Sequence, residues 1–137
     1  MNTVDINRCF IRNKKYLGTF CCDNIPVSDL REFGLIFNTD PCKKEGRHWV
    51  ALYVKDKHAE YFDSFGSPPV NEELYDYVTK SDYSLAFNTR VIQHPLSTRC
   101  GEYAIYFLKL RFKNQSISEI VSKFSRNLSF NDIFVQI

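Results

Sequence analysis

The sequence predicts a small α+β domain in which helices pack against an antiparallel or mixed sheet. Two neighbouring β-rich runs, HWVALYV and AEYFDSF, supply the sheet. Two later segments supply helices: the apolar run GEYAIYFLKLRFK, and a stretch opened by Ser116 and Glu119. The order is helix, strands, short helix, strand, long helix, final helix, which matches a layered α+β arrangement. At 137 residues the chain is expected to be one domain, 1–137, long enough to bury a core of its own.

The first predicted helix follows Pro26. Ser28 is placed to cap it, and Val27, Leu30, Phe33, Ile36 and Phe37 fall near one face. It is expected to end near Asn38, ahead of Pro41. Residues 48–54 are apolar on both alternating faces and rich in β formers, the pattern of a strand buried on two sides. Lys55, Asp56 and Lys57 turn the chain, and residues 59–65 return as the expected antiparallel partner until Gly66, Ser67, Pro68 and Pro69 break it. Asn71 with Glu72 and Glu73 reads as the cap and acidic first turn of a short helix through Val78. Residues 87–93 have strand-like composition, and residues 101–113 the apolar density of a mostly buried helix. Ser116 and Glu119 have capping-box spacing before Ile117, Ile120, Val121 and Phe124.

Composition narrows the function classes. Twelve Phe and eight Tyr can build a core from few elements. A net charge of +2 is too small to point to nucleic acid, and Arg8, Arg12, Lys14 and Lys15 read as a solvated basic segment. No apolar run is long enough to span a bilayer, and the opening MNTVDINRCF is too polar for a signal peptide. The five cysteines, at 9, 21, 22, 42 and 100, are odd in number, so free thiols in a reducing compartment are expected rather than a disulfide framework. No metal site is expected: Cys21 and Cys22 are adjacent, no C-x-x-C pair exists, and His48, His58 and His94 are scattered.

Four residues have the chemistry of thiol catalysis. Cys100 precedes Gly101 at the start of a predicted helix, where free backbone N–H groups stabilise a thiolate and an oxyanion. His48 opens a buried strand, a rigid perch for a general base. Asp63 interrupts an aromatic strand and would reach His48 if the two strands pair as a hairpin, fixing the imidazole tautomer. Gln93 stands seven residues before Cys100, with a side-chain N–H that could point into the same site. Each also has a plain structural reading: a small buried hydrophobe, a surface histidine, a turn-opening aspartate and a solvated glutamine.

Taken together, YLGTF at 16–20, GRHWVAL at 46–52, YFDSFG at 61–66 and QHPLSTRCG at 93–101 resemble adenain, the adenovirus maturation protease, and more distantly the Ulp1-type proteases that cut after ubiquitin-like proteins. The resemblance implies an adenain/Ulp1-like cysteine protease fold, with nucleophile Cys100, base His48, orienting acid Asp63 and oxyanion donor Gln93. It implies cleavage after small residues, often glycine, with Trp49 walling the substrate groove or serving the core, and Gly101 beside it. The acid is Asp63 where adenain has Glu, as in Ulp1-type enzymes. Asp82 stands where adenain carries the cysteine that tethers its activating peptide, so neither a peptide nor a DNA activator is carried over.

The expected function is therefore a cysteine endopeptidase of a virus or virus-like element, trimming capsid precursors. It would need no cofactor and act as a monomer on a protein substrate, away from membranes, in the virion and the host cytoplasm or nucleus. The alternatives are a deconjugating protease for ubiquitin-like proteins, a non-catalytic module that binds Gly-rich tails, and an acyltransferase using the same triad.

Overall fold

The computed structural model describes residues 1–44 and 48–136. A capped helix α1 (Thr3–Arg8) precedes strands β1 (Tyr16–Cys21), β2 (Glu32–Asn38), β3 (Trp49–Lys55) and β4 (His58–Phe62). Helix α2 (Glu72–Lys80), strand β5 (Ser84–Phe87) and helices α3 (Cys100–Arg111), α4 (Ile117–Ser122) and α5 (Leu128–Phe134) follow. The strands form one mixed sheet in the order β1-β2-β3-β4-β5. The outer pairs, β1/β2 and β4/β5, are parallel; the inner pairs are antiparallel.

Alternation along the central strands sorts the core onto two faces. Val50, Leu52 and Val54 of β3 join Phe33, Leu35 and Phe37 of β2 and Leu74, Tyr77 and Val78 of α2. Ala51 and Tyr53 point the other way, to Tyr103, Phe107 and Leu108 of α3. Phe62 stacks on Phe107 with ring centroids 4.5 Å apart. Gly34 gives α3 room to lie on β2, since a Cβ there would sit 2.8 Å from Leu108 and Phe112 side-chain atoms. Arg111 at the end of α3 lies over the Tyr53 ring and pairs with Glu60 at 2.7 Å, tying the helix to both hairpin strands.

The α+β class, the β3–β4 hairpin, α2, α3 and the Ser116–Glu119 capping box match the sequence reading. Asp56 and Lys57 both take positive φ between the paired Lys55 and His58, as a two-residue turn of primed type requires.

Three expectations are corrected, and three elements are added. The helix predicted over 28–38 is the strand β2: residues 33–37 are buried on both faces, while Val27 and Leu30 are exposed. A doubly buried strand offers apolar residues at every spacing, the helical one included, so the stripe did not discriminate. The strand predicted over 87–93 begins and ends earlier. After Phe87 a side chain replaces the backbone ladder: Asn88 accepts from the Asp63 N–H and donates to the Asp63 carbonyl. Strand β1 and helices α1 and α5 were not separately anticipated. Finally, Cys21 and Cys42 form a disulfide, which joins the end of β1 to the connection between β2 and β3. Cys9, Cys22 and Cys100 stay free. Asp23 lies beside the disulfide, but the two sulfurs are spent on each other and cannot act as thiolate ligands.

Candidate active site

His48 immediately precedes β3 and Asp63 immediately follows β4, so both stand at the open end of the hairpin. His48 Nε2 meets Asp63 Oδ1 at 2.8 Å, with both side chains largely buried. Asp63 Oδ1 also accepts from the Phe65 N–H at 2.8 Å. Its backbone is bracketed by the Asn88 amide at 3.1 and 2.8 Å. The Phe65 ring packs on the imidazole, centroids 4.9 Å apart. The acid is thus held by its main chain and its carboxylate at once, which leaves one orientation for His48.

Cys100 is the first residue of α3, and no side chain caps that helix end. The Trp49 N–H donates to Cys100 Sγ at 3.4 Å. Burial pushes the Cys100 thiol pKa up, but hydrogen bonds from His48, the Trp49 N–H and the Gly101 N–H outweigh it, and the net shift is downward. Burial pulls His48 down, yet its hydrogen bonds to Asp63 and Cys100 prevail and raise it to about 9. With Nε2 spent on Asp63, Nδ1 is the ring nitrogen left for the sulfur. Thiolate and imidazolium favour each other, which is the charge state an activated cysteine needs.

The structure brings His48, Asp63 and Cys100 into one connected group. Gln93 is fully buried close by in the chain, and its amide is engaged. Its Nε2 donates to the Ser97 carbonyl and hydroxyl, both at 3.1 Å, and its Oε1 accepts from the Ser64 hydroxyl. Ser64 also receives the Ile92 and Gln93 N–H groups on its carbonyl. The indole N–H of Trp49 donates to the Met1 carbonyl, and Trp49 lines a groove of about 380 Å³ with Met1, Thr19, Phe20, Asn38 and Pro41. Gly101 is buried, and a Cβ there would come 2.9 Å from the Met1 sulfur and 3.4 Å from Trp49. Gly46 and Arg47, part of the block containing His48, lie outside the described residues.

Sequence reasoning missed Ser64 and Asn88, which meet Gln93 and Asp63 across 29 and 25 residues, and Ser97, whose hydroxyl meets Asp132 35 residues away; such separations leave no local pattern. Only Asn88, a polar residue in a strand-like run, offered a hint.

The fold has a solved counterpart. The crystal structure of the African swine fever virus pS273R protease superposes with a TM-score of 0.64 over 91% of this chain and 62% of that one, at 18% identity. The fold is that of a viral cysteine protease. In sequence, the chain is 29% identical over 102 residues to the SUMO-1 cysteine protease of African swine fever virus, covering 66% of this chain and 37% of that protein. It is 26% identical over 165 aligned positions to R355, a thiol-protease candidate of Acanthamoeba polyphaga mimivirus, covering 97% of this chain and 53% of that protein. The chain therefore spans between a third and a little over half of the length of these relatives. No family model matches. The relatives are viral thiol proteases, and adenain in particular is not what they single out. Among the described residues, no helix is long and apolar enough to cross a membrane.

Proposed function

We propose that this chain is a cysteine endopeptidase of a virus, with Cys100 as nucleophile, His48 as general acid and base, and Asp63 as the orienting acid. The observation that carries the reading is the buried His48, linked at once to Asp63 and to a thiol at a helix start. The Cys100 thiolate adds to the scissile carbonyl, giving a tetrahedral oxyanion. The imidazolium of His48 gives its proton to the departing amine as the C–N bond breaks, leaving an acyl-enzyme thioester. Neutral His48 then takes a proton from water, whose oxygen displaces the thiolate and releases the acid. Backbone N–H groups at the start of α3 hold the oxyanion, together with the Gln93 amide. Both Nε2 contacts of Gln93 fall on one residue, so one shared N–H can serve them while the second turns to the oxyanion. A donor of this kind is worth about 3 kcal/mol in the transition state.

The substrate class is a viral precursor cut after a small residue such as glycine, with Trp49 walling the groove that receives it. A second reading, release of a ubiquitin-like tail, is favoured by the SUMO-1 designation of the African swine fever virus relative. Purified protein incubated with precursor polyproteins of its own genome and with SUMO-1 fusions separates the two by which one is cut. Cys100→Ala is expected to keep the fold and lose turnover of either; cleavage that survives this substitution sinks the assignment.

A further inference from the structure

Helix α5 carries two consecutive polar residues that grip the segment leading to Cys100. Asn131 is fully buried, and its Nδ2 donates to the Ile92 carbonyl and to the Ser125 carbonyl, both at 2.9 Å. Its Oδ1 accepts from the Ser125 N–H at 2.8 Å, so this amide is held on both sides. Asp132 Oδ1 accepts from the Ser97 hydroxyl at 2.9 Å and from the Tyr103 hydroxyl at 2.8 Å. Tyr103 lies in α3, one turn beyond Cys100. α5 therefore holds the residue before Gln93, the Ser97 that binds the Gln93 amide, and the helix that begins with the thiol.

Counting donors fixes the direction of this chain. The Ser97 hydroxyl has one hydrogen and meets three groups: the Gln93 NH2, the Arg99 N–H at 3.2 Å and the Asp132 carboxylate. The first two can only donate and an ionised carboxylate can only accept, so the hydrogen goes to Asp132. Ser97 is then left as an acceptor for both N–H groups. Its carbonyl faces the same Gln93 nitrogen, which sets the amide with its NH2 toward Ser97 and its oxygen toward Ser64. Without Asp132 the Ser97 hydroxyl can rotate and offer its hydrogen elsewhere, and Ser97 is released from α5 and α3 together.

We propose that Asn131 and Asp132 form a positioning clasp that holds the Gln93 amide in the orientation the reaction uses. The clasp rests on the protease reading above, because only there does the Gln93 NH2 have an oxyanion to meet. Asp132 touches no reacting atom and acts through Ser97.

The test compares Asp132→Ala and Asp132→Asn in the full chain. Both hydrogen bonds end on one oxygen, so Asn can replace the acceptor where Ala cannot. In ¹⁵N spectra the Gln93 side-chain NH2 is expected to shift, and to exchange with water about tenfold faster, in Asp132→Ala, with Asn restoring most of the difference. Unchanged Gln93 signals in the Ala variant overturn the clasp, as does an Asn variant that behaves like Ala. This arm needs no activity and decides the clasp even if the chain cleaves nothing. With a fluorogenic Gly-Gly amide, kcat should fall about tenfold in Asp132→Ala while KM stays within about threefold. Iodoacetamide labelling of Cys100 should stay within about twofold of the parent, because the thiolate depends on His48 and not on the amide. Adding Asp132→Ala to Gln93→Ala should cost nothing further; additive losses, or kcat and labelling falling together with thermal midpoint, reduce Asp132 to a structural support and overturn the proposal. If Asp132→Ala does not fold, Ser97→Ala is read by the same spectra and kinetics. Failure of the protease reading shows separately, as Cys100 labelling in the parent that does not depend on His48.

Discussion

Cys100 feels burial and hydrogen bonding as opposing forces, and His48 decides the balance. On the protease reading, the same pair sets how activity depends on pH. As pH rises past the lowered Cys100 pKa the thiolate forms while His48, raised to about 9, is still protonated; above that value the imidazolium loses the proton that the leaving amine needs. A bell-shaped kcat/KM with its basic limb near pH 9 is expected, and its acid limb should lie below the ordinary thiol range of about 8.5. Alkylation that rises through a single midpoint at the ordinary thiol value would count against the ion pair. His48→Ala removes the first-ranking favourable partner of the sulfur while burial remains, so Cys100 labelling at neutral pH should slow by about tenfold or more. That Cys100, His48 and Asp63 would come together was legible in the sequence, because each sits at the edge of an element whose own pattern is strong. Asp132 was not, because what makes it matter is Ser97, 35 residues away, and that meeting exists only in three dimensions.

Between elements, the connection after β4 is the least forgiving piece. Gly66 has φ +70, and a Cβ there would lie 2.8 Å from the backbone of Thr89 and Arg90. Its N–H closes a turn on the Asp63 carbonyl at 2.8 Å. Gly66→Ala combines left-handed strain with a backbone collision that no side-chain rotation relieves. A loss of about 2 kcal/mol in urea unfolding is expected, with a fall in activity as Asp63 shifts; an unchanged midpoint would show that the neighbouring backbone moves aside freely. The misread β2 teaches the matching lesson at this scale. Periodicity reports one-sided burial, and a strand covered by α2 on one face and α3 on the other has no polar side to report. The strand expected over 87–93 failed for the opposite reason: Asn88 imitates a ladder with its side chain, and Arg90 then binds the Val121 and Phe124 carbonyls near the end of α4. Those bonds carry the chain away from the sheet.

Across the whole molecule, the Cys21–Cys42 disulfide is the feature that composition argued against. An odd cysteine count excludes pairing of all five, not of two, and nothing in the spacing marks which two the sheet brings together. Closing a loop with a sequence separation of 21 is worth about 3 kcal/mol on a chain-entropy basis. Cys21→Ser with Cys42→Ser should lower stability by about that amount under oxidising conditions and by nothing under strong reductant, compared by urea unfolding. An equal loss in both conditions would mean that the substitutions act through packing. The reducing compartment expected from the sequence and this covalent link pull in different directions, and the comparison also measures how far the fold depends on the link.

The hairpin that carries His48 and Asp63 is local, the two being fifteen residues apart, whereas the Cys100 thiol meets Trp49 across 51 positions. A chain emerging from the ribosome can pair β3 with β4 before Cys100 exists. During synthesis the His48–Asp63 pair can therefore form while its sulfur partner is still unmade.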